Sequence, residues 1–285
     1  MKPPRPRHLL GLVLLVTGLG VVGISKSLAD KPSPEAEATR FLSSYEVVNF
    51  TARDGIKLSG WFVPCAGAKR AAVLLHGNGS RRTQMLARAH LLHDHGYAVL
   101  LYDARGHGQS EERHVSYGWF ETRDLLGAMD WLRARGFNEF GCLGASQGGA
   151  TIVFAGAQLK DVRWVVLESV YPTLQPAIDR RFRHIAAAPG WFAARCLTPL
   201  AELWAGVSFD QVAPVKHIAE LSCPVLVMSG DQDDYTQPAD ARELFAHAHE
   251  PKSIWLVPGA GHVDLYGFAK KDYEQHLLSF IGASP

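Results

Sequence analysis

The sequence has few cysteines, little excess of either charge and no long apolar run beyond residue 24, and each absence excludes a class of protein. With 29 basic and 28 acidic side chains, the chain lacks the basic excess that a nucleic-acid-binding surface needs. The cysteines are widely spaced and form no C-x-x-C pair, which argues against a zinc site or a redox motif. We expect small buried thiols at Cys65, Cys142, Cys196 and Cys223. The alternative is a disulfide, which would suit an exported protein but whose pairing the sequence does not determine.

The first residues have the pattern of a targeting segment. Three basic side chains precede the apolar stretch 9–24, and the small residues at 27–29 offer a cleavage site. This order is typical of a secretory signal peptide. The stretch is also close to the ~20 residues that a spanning helix needs. We therefore predict that residues 1–29 are a signal peptide or an N-terminal membrane anchor. The rest of the chain would be exported, as a membrane-anchored domain or, after cleavage, as a periplasmic or secreted one.

The remainder is predicted to be one domain preceded by a linker. Residues 30–44 are mostly polar and carry two prolines, which favours a linker, and residues 45–285 form the domain. At its start, the strand-like segments 45–50 and 56–63 flank Asp54-Gly55. An Asp-Gly pair between two such segments is typical of a hairpin turn.

A different rhythm follows, in which short, wholly apolar segments alternate with helical ones. The predicted strands are 71–75, 97–102, 140–143, 162–167, 225–228 and 253–257. Such strands are expected where helices cover both sheet faces, so the pattern predicts an α/β fold with a mainly parallel central sheet. Residues 169–222 are longer than one crossover needs, and we predict a small helical cap insertion there. The alternative is a long crossover that contacts no substrate.

A candidate nucleophile lies in a glycine-rich pattern. Residues Gly144–Gly148 match G-x-S-x-G, with Ser146 at the centre. An apolar segment leads into the pattern and a helical one follows, which is the strand–turn–helix setting that the motif requires. Glycines two residues away on either side remove clashes at the sharp turn. The alternative is a glycine-rich turn with a capping serine.

A serine hydroxyl needs a base to act as a nucleophile at neutral pH. His262 follows the loop 257–261 after a predicted parallel strand, so it should lie at the carboxyl end of the sheet with Ser146. An acid would then orient the imidazole. The candidate acids after two neighbouring strands are Asp231, Asp233, Asp234 and, less favoured, Glu168.

Five segments in order resemble the α/β-hydrolase superfamily, in particular its lysophospholipase-like and serine-aminopeptidase-like esterase branch. They are Leu75–Asn78, Asp103–Ser110, Gly144–Gly148, Pro224–Asp233 and Pro258–His262. The resemblance covers residues 45–282. In this family the acid typically lies three residues after the glycine that follows the strand. Gly230 is that glycine here, which favours Asp233.

The resemblance implies an α/β-hydrolase fold and a serine hydrolase that cleaves a carboxylic ester through an acyl-enzyme. Ser146 would attack the carbonyl, His262 would transfer the proton, and Asp233 would orient the imidazole. The backbone N–H groups of Asn78 and Gln147 would form the oxyanion hole. No metal and no organic cofactor is implied. The expected partner is a small acyl ester, with lipid-like esters included.

Other polar clusters are interpreted as structural. His76 is expected to brace its loop, and Asp103, Arg105 and His107 are expected to shape theirs. Three histidines and one aspartate lie between residues 90 and 95, at the end of a predicted helix. Histidines are favoured there by the helix dipole, so we expect no metal site.

Two other functions stay open at this point. The same three residues could cleave an amide or a thioester, or transfer an acyl group, because the fold does not determine the substrate. A non-catalytic, hydrolase-like binding protein is less favoured, since the nucleophile, the base and both glycines are present. Within the predicted cap, Arg180, Arg181 and Arg183 could bind an anionic head group or simply increase solubility.

Overall fold

The computed structural model describes residues 34–284, with side chains described except at 184–191 and 193–194. The strands are β1 (Glu46–Thr51), β2 (Lys57–Val63), β3 (Arg70–Leu75), β4 (Ala98–Tyr102), β5 (Glu139–Ala145), β6 (Val162–Glu168), β7 (Val225–Gly230) and β8 (Lys252–Val257). The α-helices are α1 (Pro34–Phe41), α2 (Leu86–Asp94), α3 (Thr122–Ala134), α4 (Gln147–Ala155), α5 (Leu174–Ala205), α6 (Pro238–His247), α7 (Leu265–Phe268) and α8 (Lys270–Ala283). Short 3₁₀ helices span Arg82–Met85, Gly156–Gln158, Pro214–Lys216 and Ile218–Glu220.

The strands form one eight-stranded sheet in the order β1-β2-β4-β3-β5-β6-β7-β8. Neighbours from β4 to β8 pair in parallel, whereas β1, β2 and β4 pair antiparallel. The predicted hairpin is therefore confirmed, and it lies at one edge of the sheet. Because parallel strands need crossovers, the intervening helices cover the sheet, as expected for an α/β fold.

A separate apolar cluster fills each face of the sheet. On one face, side chains of α3, α4 and α6 pack on the strands, with Leu125, Ile152 and Leu244 all fully buried. On the other face α2 and α8 pack, with Leu92 and Leu277 also fully buried. Burial on both faces explains why the central strands are continuous apolar runs rather than alternating ones.

The segment predicted to be a linker is partly helical. Helix α1 begins at Pro34 and packs Ala38, which is fully buried, with Leu42 against the cluster beneath α2. A proline is favourable at the first helical position because its missing N–H would have no intrahelical partner. Composition alone suggested a linker because this short helix contributes only a few apolar side chains.

The predicted cap segment lies between β6 and β7 and consists largely of the 32-residue helix α5. Helix α5 begins at Leu174, which is buried in the same apolar cluster as Leu125, and the residue that follows the helix, Gly206, has a left-handed conformation. Glycine adopts that conformation without a steric penalty and commonly ends helices. The first two turns of α5 line a cavity at the carboxyl ends of the strands.

The cysteines only partly match the expectation. All four are free thiols; Cys142 and Cys223 are buried, whereas Cys65 is half-buried and Cys196 is exposed on α5. Burial raises the pKa of Cys223 to about 11 and that of Cys142 further. Both buried thiols therefore stay protonated at neutral pH.

Across residues 34–284, no helix has both the length and the apolarity to cross a bilayer. The predicted signal peptide or membrane anchor, residues 1–29, lies outside the described residues.

Candidate active site

Ser146 occupies the sharp turn between β5 and α4. Its backbone has φ 49° and ψ −115°, a left-handed φ that non-glycine residues rarely adopt. A Cβ on Gly144 would lie 2.4 Å from the carbonyl carbon of Gly148, and one on Gly148 would lie 2.5 Å from the Leu75 carbonyl oxygen. Both glycines are thus required by close backbone approaches, as the sequence predicted. The serine is held there as its N–H donates to the Glu168 carbonyl at 2.7 Å.

His262 and Asp233 form a hydrogen-bonded pair. The Nδ1 atom of His262 lies 2.8 Å from Oδ2 of Asp233, whose side chain is fully buried. The other oxygen, Oδ1, accepts from the backbone N–H groups of Tyr235 and Thr236 at 2.8 and 2.9 Å. Burial alone would raise the pKa of Asp233, but the hydrogen bonds from His262 and Thr236 more than offset it and lower that pKa. Asp233 is therefore a carboxylate at neutral pH and fixes the imidazole orientation.

The other candidate acids have different roles in the structure. Asp231 accepts the N–H of Gly259 at 2.7 Å and so connects the loop after β7 with the loop after β8, and Asp234 is exposed. Glu168 is buried in a bidentate ion pair with Arg88, with distances of 2.6 and 2.8 Å. Of the four acids considered from the sequence, Asp233 is the one in hydrogen-bond contact with His262.

A cavity of about 180 Å³ opens at the carboxyl ends of the strands and is lined by both Ser146 and His262. Its walls combine the turn after β3, the first residues of α4, one face of α5 and the loop after β7. The other residues that line it are Gly77, Asn78, Ser80, Gln84, Tyr117, Gln147, Tyr171, Leu174, Ala177, Ile178, Arg181, Tyr235 and Thr236. Concave sites of this kind, mostly apolar with a few convergent polar groups, are typical of small-molecule binding.

The turn after β3 is held by hydrogen bonds on both sides of Asn78. The Gly77 N–H donates to Oε1 of Gln84 at 2.8 Å, and the Gly79 N–H donates to Nε2 of His107 at 3.1 Å. The two N–H groups that flank Asn78 are thus engaged within the protein. Asn78 and Gln147, the residues predicted for the oxyanion hole, both line the cavity beside Ser146.

His76 braces this turn, as predicted. Its Nδ1 bonds the Gly77 carbonyl at 2.8 Å, and its Nε2 accepts the N–H of Ala104 at 3.0 Å. Burial, with repulsion from nearby His107, lowers the pKa of His76 to about 4. A neutral ring with one donor and one acceptor nitrogen fits these two contacts.

The loop after β4 is likewise held by the residues assigned to that role. Asp103 accepts the backbone N–H groups of Arg82 and Gln109 at 2.7 and 2.9 Å. Arg105 forms ion pairs with Asp54 and Asp124 at 2.8 and 2.6 Å. These contacts fix the loop that packs behind the turn of Asn78.

One buried network could not be predicted from the sequence. Arg88, on α2, pairs with Glu168 at the end of β6 and also with Asp264 at 2.7 Å, two residues after His262. The carbonyl of Glu168 receives the Ser146 N–H. Arg88 therefore connects the turn that carries the serine with the loop that carries the histidine.

No metal cluster occurs within the described part of the chain, where no three His, Cys, Asp or Glu side chains lie close enough to share an ion. His90 and Asp94 are paired at 3.5 Å on the surface of α2, and both are about half exposed.

Comparison with known proteins decides the family. The pattern of the alpha/beta hydrolase family matches residues 72–270, which include the serine turn, Asp233 and His262. The chain belongs to the alpha/beta hydrolase family. Among curated relatives of this alpha/beta hydrolase, it is 25% identical over 235 residues to the uncharacterized protein YqkD of Bacillus subtilis, covering 80% of this chain and 76% of that protein. It is also 25% identical to the serine hydrolase BPHL of Mus musculus, covering 68% of this chain and 73% of BPHL.

Solved structures share the fold of this alpha/beta hydrolase. The esterase Pf2001 of Pyrococcus furiosus superimposes with a TM-score of 0.74 at 22% identity, covering 89% of this chain and 95% of the esterase. The esterase EaEST of Exiguobacterium antarcticum superimposes with a TM-score of 0.64 at 14% identity, covering 84% of this chain and all of that one. The predicted α/β-hydrolase fold is confirmed.

Proposed function

We propose that this alpha/beta hydrolase cleaves a carboxylic ester through an acyl-enzyme formed on Ser146. The observation that supports this most is the shared cavity. A serine in a left-handed backbone conformation faces the same space as a histidine whose Nδ1 is held at 2.8 Å by the buried carboxylate of Asp233. This is the set of roles that nucleophilic acyl transfer requires: nucleophile, base and orienting acid.

The proposed reaction has two steps. Ser146 Oγ attacks the ester carbonyl carbon while His262 Nε2 takes the hydroxyl proton. The tetrahedral intermediate collapses with cleavage of the bond to the alcohol oxygen, and His262 returns the proton to the departing alcohol. Water then attacks the acyl-enzyme, with His262 as base, and releases the carboxylic acid and the free serine. Asp233 stays ionised and stabilises the imidazolium in both steps.

The oxyanion of each tetrahedral intermediate is assigned to two backbone N–H groups. Gln147 is the first residue of α4, and the first N–H groups of a helix have no intrahelical acceptor. Asn78 lies between two residues whose N–H groups are already engaged within the protein. Donors fixed in this way cost little reorganisation when the negative charge develops on the substrate.

Esters are favoured over other acyl compounds by the supporting comparisons and by the cavity. Two of the structural neighbours are named esterases. The cavity wall formed by Tyr171, Leu174 and Ile178 is apolar, which suits an acyl chain. Amide cleavage, thioester cleavage and acyl transfer would use the same three residues. Assays with a panel of such substrates distinguish these reactions from ester hydrolysis.

Labelling with a fluorophosphonate probe tests the proposal. We expect one probe per molecule, on the peptide that contains Ser146, and no label in Ser146→Ala. Ser169→Ala is the matched control, because Ser169 also follows a parallel strand and also has a positive φ of 46°. That variant should label like the wild type. If the wild type is not labelled, or if Ser146→Ala is still labelled, the assignment of Ser146 as the nucleophile is wrong.

A further inference from the structure

Helix α5 presents one face to the cavity, and that face changes from apolar to cationic along its length. Leu174, Ala177, Ile178 and Arg181 all line the cavity. They follow the spacing i, i+3, i+4 and i+7, which places side chains in one row on a helix. Leu174 is buried, whereas Arg181 is exposed. The row therefore runs from the closed apolar end of the cavity to a guanidinium at its mouth.

Arg181 supplies a positive charge at the mouth of the cavity. Among the described residues that line the cavity, none carries a carboxylate, and Arg181 is the single side chain with a permanent charge. The preceding residue differs: Arg180 is paired with Asp240 and also donates to the Tyr235 carbonyl at 2.9 Å. The contact that the structure gives Arg181 is with a ring, since its guanidinium lies 5.6 Å from the centre of Tyr235. Its side chain is exposed, so the guanidinium is accessible to a ligand at the mouth.

The contacts of Tyr235 indicate which part of an ester would meet Arg181. The ring of Tyr235 also packs edge-on against the His262 imidazole, with 5.2 Å between centroids. His262 gives its proton to the departing alcohol, so the alcohol portion leaves on the histidine side. Because the Tyr235 ring contacts both His262 and Arg181, the guanidinium lies near the histidine side of the cavity. The acyl chain would then lie against the apolar side chains of Leu174 and Ile178.

We propose that Arg181 recognises an anionic group, a carboxylate or a phosphate, on the alcohol portion of the ester. Guanidinium groups bind both anions through paired N–H donors. The substrate class is then an ester with an apolar acyl chain and an acidic alcohol portion. This inference rests on the proposed ester hydrolysis and adds the choice of substrate to it.

Two aryl esters of equal size test the inference: 4-carboxyphenyl butyrate, which is anionic, and 4-carbamoylphenyl butyrate, which is neutral. For the wild type we expect kcat/KM to be about tenfold higher for the anionic ester, because a hydrogen bond to a charged group is worth more than one to a neutral group. In Arg181→Gln the ratio of the two values should fall to about one. Arg181→Lys should keep part of the preference, since it keeps the charge without the planar fork.

Arg183→Gln is the matched control. Arg183 is on the same helix and exposed, but it does not line the cavity, so this variant should keep the wild-type ratio.

A second pair, 1-butyrylglycerol 3-phosphate and 1-butyrylglycerol, distinguishes phosphate from carboxylate as the preferred anion. Added salt should reduce either preference, because the mouth of the cavity is open to solvent.

The outcomes separate the two proposals. If no ester is hydrolysed by the wild type, the proposed function itself fails, and this inference fails with it. If the neutral and anionic esters of both pairs are hydrolysed equally well, ester hydrolysis stands and anion recognition is wrong. The same conclusion follows if Arg181→Gln keeps the wild-type ratio, including the case in which it slows both esters equally.

Discussion

Replacing Asp233 with asparagine is expected to lower kcat for an aryl ester about ten-thousandfold, as expected when a triad acid is made an amide. The reason lies in the partners of the carboxylate. Oδ1 accepts two backbone N–H groups, so the amide oxygen must occupy that position. The amide NH₂ then faces Nδ1 of His262, where Oδ2 stood 2.8 Å away.

Two donors cannot share that contact, so His262 must accept through Nδ1 and carry its proton on Nε2. An imidazole in that tautomer cannot take the proton of Ser146. Steady-state kinetics on a p-nitrophenyl ester measures the effect. Asp231→Asn is the matched control: it lies in the same loop, and its amide oxygen can still accept the Gly259 N–H. A small effect of Asp233→Asn, or an equal effect of both variants, would contradict the assignment of the acid.

Replacing Arg88 with methionine is expected to lower the free energy of unfolding by about 3–5 kcal/mol, since it leaves a buried carboxylate without its partner. The side chains of Arg88 and Glu168 are only 2% and 4% exposed. Methionine keeps much of the volume, so the loss measures the charge rather than a large cavity. Urea unfolding followed by tryptophan fluorescence gives the value.

Two further variants isolate the cause of that loss. Arg53→Met removes an arginine from a surface ion pair with Asp130, in which both side chains are more than 40% exposed, and should cost less than about 1 kcal/mol. The double variant Arg88→Met/Glu168→Gln should be more stable than Arg88→Met alone, because it removes the uncompensated charge. A loss near 1 kcal/mol in Arg88→Met, or no recovery in the double variant, would contradict an uncompensated buried charge as the cause.

Much of the sheet could be predicted because the burial of each strand determines the residue types within that strand. Each central strand is buried on both faces and must be apolar at nearly every position, as in Val73, Leu74 and Leu75 of β3. The serine turn could be predicted as well, since the close approaches at Gly144 and Gly148 exclude any side chain. These features are visible in the sequence because neighbouring residues cause them.

Features that depend on distant packing could not be predicted. Composition predicts a linker where α1 forms, because a helix this short is stable only through its tertiary contacts. The ion pair between Arg88 and Glu168 joins residues 80 positions apart, so no local sequence pattern indicates it. The same limit applied to the cap arginines. The sequence offered three equivalent candidates, and only their placement distinguishes the paired Arg180 from Arg181 at the cavity.

The most direct measurement of the central claim is acyl transfer to Ser146 from a substrate-like carbonyl. A p-nitrophenyl N-alkylcarbamate suits this purpose, because its carbamoyl-enzyme is hydrolysed slowly. We predict one p-nitrophenol released per protein molecule and one carbamoyl group on the peptide that contains Ser146, found by mass spectrometry. Stoichiometric release with the group on another residue, or release that is unchanged in Ser146→Ala, would contradict the account.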